Sequence, residues 1–416
     1  MTTLLLFTHD LRLKDHPALT AAAERGKPLL LLYVWPSWTI GESQQWWLSE
    51  SLRALDAALK EEGHRLVFEK GKLEEVVLRV CKQGGVEEVV WSEPYVPPYK
   101  EPLDRLERRL EERGIVVTPH AGTLLVEPER LGKPYQVFTP FWRQASQWIE
   151  GDVLPKPRLS RCPSSPYRGE GLPKVTSPLS DYWTPGEEGA HKRLQAFLRG
   201  PVRHYGRDRD RPDLDGTSRL SPHLHFGEIS PRTLYRKVSS EPYLRELGWR
   251  EFCYHLLAHH PKLYTENFNP KFDRFPWKGS KGDLKRWQEG RTGFPLVDAG
   301  MRQLAEMGWM HNRVRMVAAS FLTKDLLIDW REGAAWFERH LVDADLPNNC
   351  MGWQWVAGCG ADAAPYFRIF NPTSQAEKFD PERRYVERWV GEDVVEPMLD
   401  HAEARERALA LYKNLH

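Results

Sequence analysis

The sequence predicts an α/β domain built on a parallel sheet over residues 1–125, and an all-α domain over 191–416, joined by a connector at 126–190. Three observations carry this. Short apolar runs alternate with amphipathic stretches only in the first 125 residues. From about residue 190 the apolar spacing is helical almost throughout, and the stretch between is rich in proline, glycine and serine. A chain of 416 residues has enough material for two domains, each with its own core.

In the first domain, Leu4–Thr8, Leu29–Trp35, Arg65–Glu69, Val86–Trp91 and Ile115–Pro119 read as strands. Helical patterns near 17–25, 43–62, 72–84 and 101–113 separate them. Strands alternating with helices imply a Rossmann-like parallel sheet covered on both faces. No G-x-G-x-x-G follows the first strand, so the dinucleotide fingerprint is missing. A ligand here is expected beyond the carboxyl ends of the strands. In the connector, Pro155-Lys156-Pro157 and Arg161-Cys162-Pro163-Ser164-Ser165-Pro166 predict a segment wrapped over the surface.

With 41% hydrophobic and 28% charged residues, the composition is that of a soluble globular protein. The run Thr2–Phe7 has neither a basic start nor a small-residue cleavage site, so it reads as a buried strand and not a leader. No stretch is long and apolar enough to span a bilayer, and a cytoplasmic location is expected. The five cysteines form no CxxC pair and no metal-ligand spacing, which predicts reduced structural thiols and no metal. Charge is unevenly spread. Residues 1–125 carry 16 basic and 19 acidic side chains, whereas 126–379 carry 37 basic and 30 acidic. The basic middle suits either a polyanion-binding face or an ordinary mixed surface. Seventeen tryptophans against seven methionines suit core packing, base or flavin stacking, or electron transfer.

Several clusters carry chemistry. Thr217-Ser218-Arg219-Leu220-Ser221-Pro222 places hydroxyls and an arginine ahead of a helical pattern. Ser221 suits an N-cap, and the same helix start suits a phosphate. Glu246 and Trp249 lie one helical turn apart, as do Trp249 and Cys253. Asn312, Arg315 and Met316 form a stripe of amide, cation and thioether that a pure core would not favour. Asp343, Asp345, Asn348 and Asn349 precede Gly352-Trp353-Gln354-Trp355, and an Arg315–carboxylate bridge is expected.

Longer motifs narrow the reading. Gly293-Phe294-Pro295-Leu296-Val297-Asp298-Ala299-Gly300-Met301-Arg302, Gly308-Trp309-Met310-His311-Asn312-Arg313, Lys324-Asp325-Leu326-Leu327-Ile328-Asp329-Trp330-Arg331 and Phe367-Arg368-Ile369-Phe370-Asn371-Pro372 resemble the photolyase–cryptochrome family. Within it they most resemble microbial class I enzymes that repair cyclobutane pyrimidine dimers. The likeness covers nearly the whole chain and is strongest from 200 to 380.

The resemblance implies FAD held in the helical domain and DNA containing pyrimidine dimers as the partner. By matching motif, Tyr205, Thr217, Ser218, Leu220 and Ser221 hold the phosphates and ribityl chain, with Arg209 beside cofactor and lesion. Arg315, Asp343 and Asp345 flank the isoalloxazine, and Asn349 faces its N5. Glu246, Trp249, Asn312, Met316 and Trp355 line the lesion pocket, which needs flat apolar walls and a few polar groups for a flipped base pair. Excited reduced FAD lends one electron to the dimer, and Trp277, Trp330 and Trp353 relay electrons from the surface to the flavin.

The alternative is a cryptochrome photoreceptor. Asn349, the Glu246–Trp249 pair and a chain ending at His416 argue against it, and Asn312 stands where a (6-4) enzyme would carry a second histidine beside His311. A second, antenna chromophore is expected. Tyr99-Lys100 occupies the place of a folate-type Asn-Glu pair, so FMN or a deazaflavin is favoured, near Trp35 and Gln44. No protein partner or membrane is implied, and a monomer is expected.

Overall fold

The computed structural model describes residues 2–36, 40–363 and 367–415. The five strands are β1 (Thr2–Phe7), β2 (Leu29–Trp35), β3 (Leu66–Lys70), β4 (Val86–Ser92) and β5 (Val116–His120). They pair in parallel in the order β3-β2-β1-β4-β5. The crossovers run through α1 (Pro17–Glu24), α2 (Glu42–Glu61), α3 (Leu73–Gly84) and α4 (Pro97–Glu111). Each element lies within a few residues of its sequence-based bounds. The largest difference is the start of α4, at Pro97 instead of 101. Pro97 and Pro98 occupy the first two helical positions, where a missing N–H leaves nothing unbonded, while Pro102 lies inside the helix.

Both faces of the sheet are covered, which is why β1 and β2 read as unbroken apolar runs. Leu4, Leu6, Leu30, Leu32, Val89 and Trp91 face α3 and α4. Leu5, Phe7, Leu29, Leu31 and Val90 face the other way, and their core does not stop at the domain boundary. Two separate cores were expected. Instead, Trp47 of α2 packs on Trp183 at 5.5 Å and stacks on Phe226 at 6.1 Å, so this side of the sheet shares one core with the helical domain.

Beyond β5 the described residues form helices and turns. The connector contributes α5 (Phe138–Ala145), then returns along the edge strand β3. There Gly169 passes so close that a Cβ would stand 2.3 Å from the Phe68 carbonyl oxygen. This covers an edge that would otherwise be open to pairing.

Buried polar contacts rivet the two domains. The Arg12 guanidinium donates to the carbonyls of Gly227 at 3.0 Å and of Asp15 and Gly122 at 2.9 Å. Asp15 pairs with Arg232 at 2.9 Å and accepts from Leu154 N at 2.9 Å. Gly227 adopts φ +65°, and a Cβ there would stand 1.9 Å from the His9 carbonyl oxygen, so the contact needs glycine.

Candidate active site

A cavity of about 580 Å³ opens in the helical domain. Its walls come from the Ser221–His225, Glu241–His259, Asn312–Ser320 and Leu346–Ala357 helices and the loop before the first of these. Tyr205, Arg209, Thr217, Ser218, Leu220, Ser221, Glu246, Trp249, Asn312, Arg315, Met316, Asp343, Asp345, Asn349, Trp353 and Trp355 all line it. Side chains spread over 150 residues of sequence thus converge on one space.

At one end, the 217–221 loop presents hydroxyls and backbone. Arg193 holds it from behind, donating to Ser218 O at 2.7 Å and Thr217 O at 2.9 Å. Tyr243 donates to Ser218 Oγ at 3.3 Å. Ser221 is not the N-cap. Leu220 takes that position without a side-chain bond, and Ser221 Oγ donates to Asp343 Oδ2 at 2.6 Å instead. The hydroxyl proton thereby goes to a charged acceptor, a stronger bond than one to a neutral acceptor.

Asp343 also accepts from Arg315 Nη2 at 2.8 and 3.0 Å, which forms the expected bridge. Arg315 Nε donates to Met310 O at 2.7 Å, so the guanidinium is fixed from two sides. Asp345 caps the Leu346–Ala357 helix and accepts from Tyr254 Oη at 2.6 Å. Burial alone would raise its carboxyl, but His225, Arg250 and Tyr254 outweigh it and hold the group well below the usual carboxylate range. Asn349 Nδ2 donates to Ala334 O at 3.0 Å and Glu338 Oε2 at 3.3 Å.

The other end is aromatic. Trp249 is half-buried and stacks on Phe138 of α5, with centroids 3.8 Å apart. Trp355 lies under the Arg368 guanidinium at 5.1 Å. Glu246 is ion-paired with Arg209, which in turn lies over the Tyr205 ring at 5.6 Å. Asn312 is exposed at the first position of its helix, where His311 Nδ1 accepts from Arg313 N at 3.2 Å as the cap.

Trp353 lines the cavity, while Trp330 and Trp277 do not. The Trp353 ring packs on Gly333, one turn past Trp330, where a Cβ would stand 2.1 Å away. Trp330 is fully buried and donates to Asn267 Oδ1 at 2.9 Å. Lys278 and Gly279 bond Leu327 O, which brings half-buried Trp277 to the same end of that helix. Trp35 and Gln44 do not line this cavity, although Gln44 bonds two residues that do, Ala344 and His225. Trp35 meets Phe68 edge-on at 6.1 Å, and the buried Gln44 amide donates to Ala344 O at 2.6 Å at the domain junction.

The cavity fits a flavin dinucleotide. Its volume falls in the range of cofactor pockets, and its lining is mostly apolar with a few fixed polar groups. Trp309 lines it with a buried indole N–H that has no acceptor among the described residues.

The comparisons with known proteins point the same way. A family profile described as the FAD binding domain of DNA photolyase matches residues 243–394, and one described as DNA photolyase matches 3–160. A deoxyribodipyrimidine photo-lyase of Agrobacterium fabrum is 42% identical, over 98% of this chain and 96% of its own. The chain belongs to the DNA photolyase family. It is an FAD-binding, photolyase-type enzyme. Cryptochrome-1 of Arabidopsis thaliana is 33% identical over 94% of this chain and 63% of its own. Among solved structures, a bacterial class III photolyase from Agrobacterium tumefaciens has TM-score 0.92 at 40% identity, covering 100% of this chain and 97% of its own. An archaeal photolyase from Sulfolobus tokodaii, solved with two FAD molecules, has TM-score 0.88 at 28% identity over the whole of both chains. Among the described residues no helix is long and apolar enough to cross a membrane.

Sequence reasoning missed Arg193, Tyr254, Phe138 and Glu338. Each is a single residue in an amphipathic helix or connector, and no spacing sets it apart from a surface or core position.

Proposed function

We propose that this protein repairs cyclobutane pyrimidine dimers in DNA with light, taking the flipped dimer into the aromatic end of the cavity. One observation carries the reading. Glu246, Trp249, Asn312, Met316 and Trp355 share one space with the Arg315–Asp343 bridge and Asn349, so lesion groups and cofactor groups adjoin. The motifs read as class I and one solved relative is class III; the proposed substrate is the same under either.

Bound FAD supplies the light-driven electron. The protein's own residues do the rest. Thr217, Ser218 and Ser221 offer donors to the phosphates and ribityl chain, on a loop that Arg193 keeps in place. Arg315 and the Asp343 carboxylate form a fixed pair beside the ring system, which needs no rearrangement when charge develops. Trp249 and Trp355 give flat walls for the two linked bases. Glu246, oriented by Arg209, provides the hydrogen bond that holds the dimer while its charge changes. Trp353, Trp330 and Trp277 form the reductive relay, running from cavity wall outward.

A cryptochrome-type receptor has no need of a polar pair inside an aromatic lesion-sized pocket, and the Glu246–Arg209 pair favours repair. The same reading has the protein act on dimer-containing DNA as a cytoplasmic monomer, with an FMN or deazaflavin antenna in the α/β domain. The test is direct. Purified protein should remove dimers from an irradiated oligonucleotide under blue light and not in the dark. Light-dependent reduction of the flavin without any loss of dimers would establish the receptor instead.

A further inference from the structure

The Leu346–Ala357 helix presents Asn349 to the cavity, and the Trp330–His340 helix packs behind it. Both hydrogen-bond partners of Asn349 Nδ2, the Ala334 carbonyl and the Glu338 carboxylate, lie on that second helix. A backbone carbonyl and an ionised carboxyl are acceptors only. Neither can receive the oxygen end of an amide, so together they fix which way round the side chain sits. Oδ1 is the end left for the cavity.

Glu338 is an unusual residue for this place. Its backbone meets the α/β domain so closely that a Cβ on Gly41 would stand 2.7 Å from the Glu338 carbonyl oxygen and 2.4 Å from that of Arg339. Among the described residues no lysine or arginine forms an ion pair with its carboxylate. The charged and titratable groups facing it are His225 and Asp345 from the helical domain and Tyr99 from α4. Burial raises its pKa, Asp345 adds to this, and His225 and the Asn349 amide oppose it. A carboxylate with little counter-charge is costly in such a setting. Its hydrogen bond to Asn349 is the specific contact it makes.

We infer that Glu338 is a positioning residue, which locks Asn349 with its carbonyl oxygen toward the flavin's N5 and so favours the flavin state that carries a proton there. The inference rests on the proposed placement of Asn349 beside N5. A carbonyl oxygen accepts from an N5–H, whereas against an unprotonated N5 it sets lone pair against lone pair. Glu338 itself passes neither proton nor electron.

Glu338→Gln tests this with little change of volume. The new amide offers donor and acceptor, so only the Ala334 carbonyl still opposes the flipped amide and the lock is weakened. At fixed poise the reduced-to-oxidised ratio of bound FAD should fall about tenfold, which for a two-electron couple is a drop of ~30 mV in midpoint potential. Asn349→Ala is the companion measurement. If N349A shifts the potential and E338Q matches the parent, Glu338 has no positioning role and the placement of Asn349 stands. If neither variant shifts it, Asn349 does not face N5 and the inference falls with that placement. Should E338Q fail to retain FAD, NMR of the glutamate carboxyl carbons in the parent decides the matter. An ionised Glu338 in the reduced protein at neutral pH upholds the lock, and a protonated one, able to donate to Oδ1, overturns it.

Discussion

Phe138 lies flat against Trp249, with ring centroids 3.8 Å apart and planes within 9°. Phe138 belongs to the connector and Trp249 to the helical domain, so the connector backs one wall of the proposed lesion pocket. Arg245 covers the Phe138 ring at 5.1 Å, and Trp142 stacks on it at 6.5 Å. One face of Trp249 is thereby occupied, and the residue also lines the cavity.

Trp249→Ala should therefore weaken binding of a dimer-containing oligonucleotide by about 1–3 kcal/mol. Phe138→Ala, which touches no DNA, should weaken it by ~0.5–1.5 kcal/mol through loss of the aromatic pair. Fluorescence anisotropy at matched salt reads both. Unchanged lesion affinity in Phe138→Ala would show that Trp249 needs no support.

The tryptophan arrangement is expected to serve reduction and not repair. Trp353→Phe keeps most of the volume packed on Gly333, and should retain FAD while losing light-driven reduction of the oxidised flavin. Chemically reduced beforehand, the variant should still split dimers. Photoreduction at the parent's rate would rule out Trp353 as the first relay member.

Asp343, itself buried, joins the half-buried Arg315 and the exposed Ser221. Asp343→Ala removes the carboxylate that accepts from both, leaving Arg315 held through its Nε bond to Met310 O. The variant should purify largely free of flavin, seen as loss of its visible absorbance. Full flavin content would place the binding energy elsewhere.

The domain junction should be acid-sensitive. His9 sits between Tyr99 at 4.4 Å and His225 at 5.7 Å, and burial together with His225 lowers its pKa from 6.5 to about 4. The folded state therefore keeps His9 neutral where the unfolded chain would protonate it. This contribution is fully present above pH 6.5 and is lost as pH falls toward 4. It amounts to at most about 3 kcal/mol. His9→Phe should flatten the fall in thermal midpoint over that window, and an unchanged pH profile would exclude His9 as its source.

The strands were legible because a parallel sheet buried on both faces leaves continuous apolar runs, as in Leu29–Trp35. The cavity lining was legible through motif resemblance, from Tyr205 to Trp355. What could not be read was which partner each polar residue would choose. Ser221 looked like a cap because its neighbours are those of a cap, and only the approach of Asp343 from 122 residues away takes it elsewhere. Gln44 was expected near an antenna chromophore, and the local sequence could not show that its amide also bonds Ala344, 300 residues on. Glu338 looks like the solvated flank of an amphipathic helix until the Leu346–Ala357 helix and α2 close over it. These choices depend on long-range packing that no local spacing records.

The rivets around Arg12, Asp15 and Gly227 leave the α/β domain no hinge against its neighbour. Energy passed between two chromophores by resonance depends steeply on their separation and relative orientation. A pigment seated in the α/β domain would therefore stand at one set distance and angle from the flavin. Its light-gathering efficiency would then be built in when the chain folds, and substrate binding or domain motion would have no means of tuning it.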